Sequence, residues 1–301
     1  EWGFYQSKTP YAGGASGSNY FAYSSSYFQP EHEGSGKKWA YSLRCVVNAA
    51  TVQNITYMQD MTPDICANTP EGTTARLLDK RGYGNAGSDT TTKYGVIKAK
   101  DGNCWMTDNL RLYNKSISSS DSDLSSGSFT IPSSSNWYAT NETTNNTPLL
   151  HVADGTGTQE DKTGTYYGEV YYNWCASTAR SNCPATEATP DSSICPKNWQ
   201  LPIGLESIDV NKSYAKLLDS ENITTDSELI GNSSGLGFTK YYGLYYYNWG
   251  SLNFQNRYAG MWSGTPMGTD SASSLSYSDD GGISIPGSWG RVRGLNVRCV
   301  A

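Results

Sequence analysis

Gly294-Leu295-Asn296-Val297-Arg298-Cys299-Val300 ends the chain, and Tyr41-Ser42-Leu43-Arg44-Cys45-Val46 near its start carries the same Leu, Arg, Cys and Val pattern. Working outward, Ser263-Gly264-Thr265-Pro266 is matched by Ser7-Lys8-Thr9-Pro10, and Tyr277-Ser278 by Tyr23-Ser24. The offset is about 255 residues throughout. Self-similarity at a fixed spacing marks a repeat, and a spacing this long makes whole domains the repeating unit. The chain therefore reads as three parts. Residues 1–47 are the C-terminal portion of a preceding unit or an assembly segment, 48–56 a linker, and 57–301 a complete domain. Since Glu1 falls inside a unit, the expectation is a piece of a longer chain.

Composition narrows the class. With 37% hydrophobic residues, the 301-residue chain can build a packed core. Charged residues make up only 17%, against a typical value of about 25%. Tyr (23) and Trp (9) far outnumber Phe (6), as in many extracellular loop-rich domains. A net charge of −6 without a basic stripe excludes a phosphate-backbone partner, because nothing is there to drive counterion release. Nucleic acid is set aside. No apolar run reaches the length a bilayer span needs, so a membrane-spanning segment is not expected.

Seven cysteines, Cys45, Cys66, Cys104, Cys175, Cys183, Cys195 and Cys299, lack the paired spacing of a zinc site. Disulfides in an oxidising compartment are the expectation, which places the protein outside the cell or on its surface. The repeat accounts for the odd number: Cys45 corresponds to Cys299, so Cys45 is expected to have no partner within the chain's later part. The pairing favoured is Cys195 with Cys299, Cys66 with Cys104 and Cys175 with Cys183, although six cysteines permit fifteen connectivities.

The local patterns mix strands and short helices. Thr51–Thr62 suits one or two helical turns. Arg76–Asp79, Lys93–Lys98 and Cys104–Met106 suit strands, with the Asp101-Gly102 turn between the last two a strong hairpin signal. Residues 114–165, rich in Ser, Thr and Asn, read as surface loops. Tyr166–Trp174 reads as a strand and 206–219 as a helix with Ile208, Tyr214, Leu217 and Leu218 on one face. The fold class is α+β, disulfide-tied and loop-rich, with short helices and a mainly antiparallel sheet.

Taken in order, several segments resemble one family. They are Tyr57-Met58-Gln59-Asp60-Met61-Thr62, Leu78-Asp79-Lys80-Arg81, Asp101-Gly102-Asn103-Cys104-Trp105-Met106, Tyr172-Asn173-Trp174-Cys175-Ala176-Ser177, Ile194-Cys195-Pro196-Lys197-Asn198-Trp199 and Val297-Arg298-Cys299-Val300. Residues 57–301 resemble the Fibrobacter-type major paralogous domain, in the version found in surface proteins of Saccharibacteria and related small-genome bacteria. The resemblance implies a C-type-lectin-like, formylglycine-generating-enzyme-like fold in a secreted or cell-surface protein, often in several copies.

Catalytic chemistry has little to build on. His32 and His151 are the only histidines and fall in different units, so a Ser-His-Asp or Cys-His arrangement has no evident base. The expectation is a protein that is not an enzyme and holds no cofactor. Calcium is the one ion considered, through the acid pairs Glu160-Asp161 and Asp279-Asp280, although such pairs are more often simply solvated. The calcium-site motifs of C-type lectins are absent. What remains is the aromatic supply, since Tyr and Trp give rigid contact area at low entropic cost. Tyr245, Tyr247, Trp249, Trp262 and Trp289 are the expected contact residues. The expected role is a structural or adhesive surface protein, a repeating unit of a bacterial fibre that meets neighbouring units and a host-cell protein or glycan. The alternative is a soluble carbohydrate- or protein-binding module.

Overall fold

A computed structural model of the chain describes residues 2–10, 17–24, 26–36, 49–82, 93–133, 147–152, 169–181, 183, 190–230, 235–238, 244–246, 251–253, 257–280 and 282–301. It separates into two compact units, Glu1–Ala49 and Ala50–Ala301. The first unit is an antiparallel meander of β1 (Trp2–Pro10), β2 (Gly17–Ser24) and β3 (Tyr27–Gly36). Cys45 lies outside the described residues.

The second unit begins earlier than the sequence suggests. Val52, inside the expected linker, is fully buried in the core, so the segment from there onward belongs to the domain. Its short 3-10 turns, Val52–Asn54 and Met58–Asp60, lead into α1 (Pro63–Asn68). Thr62 caps α1 by accepting from the Ile65 amide, and Pro63 occupies the first turn, where no donor is missed.

Next comes an antiparallel sheet of β4 (Thr74–Leu78), β5 (Lys93–Lys98) and β6 (Cys104–Met106). The β5–β6 hairpin turns at Asp101-Gly102 as expected, with Val96 opposite Met106 and Gly102 at a φ of 87°. That left-handed backbone is the region glycine adopts without strain. Asp101 accepts hydrogen bonds from the Asn103 amide and the Trp105 indole, both at 2.9 Å, fixing the turn to the core below.

Residues 114–165 depart from the loop expectation. β7 (Lys115–Ser118) and β8 (Ser128–Ile131) form a hairpin that buries Ile117 and Ile131, and β9 (Leu150–Val152) pairs with β10 (Val170–Tyr172). The sparse apolar residues of this Ser-rich stretch are the ones that face inward, so low hydrophobic content hid a real alternation. Asn173 caps α2 (Trp174–Ser177).

The expected helix over 206–219 starts later, as α3 (Tyr214–Glu221). Ser213 caps it by accepting from the Lys216 amide, and Asn222 stops it in the left-handed region. Tyr214, Leu217 and Leu218 point into the core, whereas Ile208 is 50% exposed and outside the helix. After α4 (Asp226–Ile230) come a short pair, β11 (Leu244–Tyr246) with β12 (Ser251–Asn253), and an antiparallel meander of β13 (Tyr258–Met267), β14 (Ser271–Ser278) and β15 (Ile283–Gly290).

The closing run threads the whole unit together. Leu295 bridges Tyr172, Asn296 bridges Met261, and Val300 bridges both Trp105 and Gln200. Alternation along an extended chain sends successive side chains to opposite faces. Leu295, Val297 and Cys299 enter one core cluster with Trp174, Trp199 and Trp262, while Val300 enters another with Trp105, Tyr214 and Phe238. Between them Arg298 is 1% exposed. Its guanidinium donates to the Asn109 side chain at 2.8 Å and to the carbonyls of Leu236 and Gly237, and it stacks over the Phe238 ring. Removal from water is tolerated because its donors find partners.

Disulfides join Cys66 to Cys104, Cys175 to Cys183 and Cys195 to Cys299, the pairing favoured from the sequence. The architecture is α+β, mostly antiparallel with a few short helices, and the three bridges mark a protein of an oxidising compartment. No helix among the described residues is long and apolar enough to cross a membrane.

Candidate functional site

Of the five expected contact residues, the structure places Trp289 on an accessible surface. β14 and β15 present one face on which Trp289 and Tyr258 flank a row of serines, Ser276, Ser278, Ser284 and Ser288, around a cleft of about 260 Å³. The small residues are what leave the cleft open. Gly287 is packed so closely that an added Cβ would stand 2.7 Å from the hydroxyl oxygens of Ser274 and Ser276.

Trp289 is held in one orientation. Its indole N–H donates to Ser276 Oγ at 2.6 Å, and the Arg293 guanidinium covers one ring face at 4.6 Å. Ser274 and Ser276 hydroxyls lie 2.9 Å apart, and Ser278 donates to Asp280. The result is a rigid aromatic edge beside several hydroxyl groups that can donate and accept. Such a surface can hold a polar ligand with an apolar face.

Trp262 is a correction. It is fully buried, and its indole donates to the Tyr172 carbonyl at 2.7 Å, so it braces β13 against β10 and offers nothing to a partner. Its Ser- and Gly-rich neighbourhood carries no sign of a core position, which is why the sequence alone points to a contact residue. Tyr245 sits in β11, opposite Leu252 in the backbone register. Tyr247 and Trp249 lie outside the described residues, as do Glu160 and Asp161. Asp279 pairs with Arg257 at 3.3 Å. Among the described residues no group of three or more His, Cys, Asp or Glu side chains is placed to share a metal ion.

A second, larger cleft of about 560 Å³ was not anticipated. Asp123, Ser193, Gln200, Leu205, Val210 and Thr265 contribute to its lining. Its polar end is clipped in place: Ser193 donates to Asp123 Oδ2 at 2.5 Å, and the Asp123 amide donates to the Cys195 carbonyl. Leu205, 43% exposed, forms an apolar rim. Burial pushes the Asp123 carboxyl up to about 6, against the lowering effect of the Ser193 hydroxyl and of Lys212. The Lys212 ammonium is itself lowered by loss of water, with Asp123 working in the opposite direction. Nothing in the Ser-Asp-Leu-rich sequence around Asp123 signals this, because the cleft assembles segments far apart in the chain.

The sign of the pH effect follows. A carboxylate whose folded pKa lies above its unfolded value binds its proton more tightly when folded, so stability falls as pH rises from about 4 to about 6. Asp123→Asn keeps an acceptor for Ser193 and carries no charge to desolvate. The variant should be more stable than the parent at pH 7 by about 1–2 kcal/mol after discounting for its partial exposure, and should match it near pH 4. Thermal melts across that range check this, and a constant difference at all pH values would show that Asp123 is not the titrating group.

Comparison with protein-family models, with curated proteins and with solved structures finds no match to this chain.

Proposed function

We propose that the protein is a structural and adhesive unit of an extracellular surface polymer, with a C-type-lectin-like domain strung in repeats along a fibre. The observation that carries this reading is the internal repeat. The meander β1–β2–β3 has the same strand order and direction as β13–β14–β15, and its first strand pair has the same register as β13–β14, which supports units that recur in series. The three disulfides fit an exposed location where cytosolic reductants are absent. A row of such units multiplies weak contacts by avidity.

The partner-facing surface is the Trp289 cleft, and its chemistry favours a glycan or a polar protein loop over a charged polymer. Electron microscopy of native material tests the polymer directly. A regular axial repeat is expected, whereas dispersed single particles would leave the alternative, a separate carbohydrate- or protein-binding module acting through the same cleft. Trp289→Ala should weaken binding of the unit to its target surface by about tenfold or more, in line with truncation of an aromatic contact residue. Half-exposed as it is, its loss should shift the melting midpoint only slightly. Unchanged binding would move the contact surface elsewhere.

A further inference from the structure

The larger cleft shares no lining residue with the Trp289 cleft, and its chemistry differs. At about 560 Å³ it falls within the roughly 300–1,000 Å³ of sites that enclose small molecules, which combine mostly apolar walls with a few placed polar groups. Here the apolar walls are aliphatic, from Leu201, Ile203, Leu205, Val210 and two prolines, with no aromatic ring in the described lining. A sugar would find no ring to stack on, whereas an alkyl chain would be covered.

The polar groups are fixed by the backbone around them. The Asp123 amide donates to the Cys195 carbonyl at 2.9 Å, and the Ser193 amide donates to the Asp123 carbonyl at 2.6 Å. Thr265 Oγ1 accepts from the Gly204 amide at 3.0 Å, which leaves its own proton to give. Asp123 is the charged member of the buried end. Its Oδ2 accepts from Ser193, while Oδ1 takes no hydrogen bond and no ion pair from any described residue. The charges that act on it are those of Lys212, Asp191 and Arg81. None of them meets it directly: Lys212 Nζ is turned to Gln200 Oε1 at 3.5 Å, Arg81 is committed to Asp79 at 2.8 Å, and exposed Asp191 adds negative charge that Arg180 answers. A carboxylate withdrawn from water without a direct countercharge is costly, and the open side of this one is the cleft.

We propose that this cleft binds an aliphatic primary amine, its ammonium donating to Asp123 Oδ1 and its methylene stem lying against Leu205 and Val210. The ammonium supplies the missing countercharge, and the stem covers apolar wall. A net charge of −6 favours the approach of a cation, and an anion would face the two carboxylates. Calcium takes six or more oxygen ligands, whereas among the described residues no three acidic or metal-binding side chains come together.

Calorimetric titration of the whole chain tests this with N-acetyl-lysine methylamide, with 1,5-diaminopentane, and with N-acetyl-norleucine methylamide, which keeps the stem and lacks the ammonium. Both amines should bind at least ~tenfold more tightly than the norleucine compound, the effect expected of a hydrogen bond to a charged group. Tighter binding of the lysine compound assigns a polypeptide side chain as the source, and tighter binding of the diamine a free small molecule. Only the ionised carboxyl pairs with an ammonium, which keeps its own proton throughout this range. Amine affinity should therefore fall about tenfold from pH 7 to pH 5 for a carboxyl that titrates at about 6, while norleucine affinity stays constant. Asp123→Asn, expected to fold at least as well as the parent at pH 7, should abolish both the preference for amines and its pH dependence. Equal binding of the lysine and norleucine compounds, amine binding that survives Asp123→Asn, or no binding of either amine at millimolar concentration would overturn the inference.

Discussion

Replacing Cys195 and Cys299 together by alanine should lower the stability of the second unit by about 4–5 kcal/mol, more than removal of either other bridge. In the chain-entropy account a cross-link stabilises by restricting the unfolded ensemble, and its effect grows with the logarithm of the closed loop. The Cys195–Cys299 bridge spans 104 residues, Cys66–Cys104 spans 38 and Cys175–Cys183 spans 8. The same relation gives about 4 kcal/mol for the second and about 2.5 kcal/mol for the third. Position reinforces the order. Cys299 lies on the closing run that bridges β6, β10, β13 and Gln200, and the fully buried Cys195 accepts a hydrogen bond at its carbonyl from the Asp123 amide. Denaturant midpoints of the three double variants check the ranking. A Cys175–Cys183 deletion as costly as the Cys195–Cys299 deletion would show that local strain, not loop closure, governs these bridges.

The parts of the fold legible in the sequence are those where local chemistry and tertiary demand coincide. Asp101-Gly102 specified a turn, and the flanking apolar residues specified the strands that pair across it. The repeated ending could be seen because two copies stand in one chain. By contrast, Ile117 and Ile131 sit among serines and threonines, and their inward alternation is too thin to rise above a loop-like background. Ile208 carries the right spacing for the face of α3, yet Ser213 captures the helix start and leaves it outside. Trp289 and Trp262 are alike as residue types. What separates them is the Tyr172 carbonyl beneath one and open serine hydroxyls beside the other, neither of which the local sequence can announce. The Asp123 cleft is harder still, because its walls come from segments near 123, 190–210 and 264–266.

The second large effect is expected at Arg81. Its guanidinium and the Asp79 carboxylate are 1% and 0% exposed and meet at 2.8 Å. Arg81 also donates to the carbonyls of Ile194 and Cys195 and to Ser122 Oγ, while Asp79 accepts from Gln59 at 2.7 Å. One ion pair thus ties the Met58–Asp60 turn, the end of β4 and the loop before the Cys195 bridge. Burial pushes the Asp79 carboxyl up, but the Arg81 guanidinium and the hydrogen bonds around it carry the balance below the usual carboxylate range. A depressed folded pKa contributes stability above the unfolded value near 4, and that contribution is lost as pH falls through the lower folded value. The parent protein should therefore hold its stability on this account down to about pH 4. Arg81→Met leaves a buried carboxylate with no countercharge, a change that typically costs about 3–5 kcal/mol. In that variant the hydrogen bonds from Gln59 and from the residue-81 amide remain but the countercharge is gone, so burial, the largest influence on this carboxyl, should dominate and the pH trend should reverse, with stability recovering as the medium is acidified and Asp79 takes a proton. Asp79→Leu combined with Arg81→Met removes both charges and should regain much of the loss, since an apolar pair of similar volume is often no worse than a buried ion pair. Denaturation midpoints at pH 4 and pH 7 for the single and double variants decide the matter. A single variant no less stable than the double at pH 7, and no better at pH 4, would mean that Asp79 is solvated and that the pair does not hold these segments together.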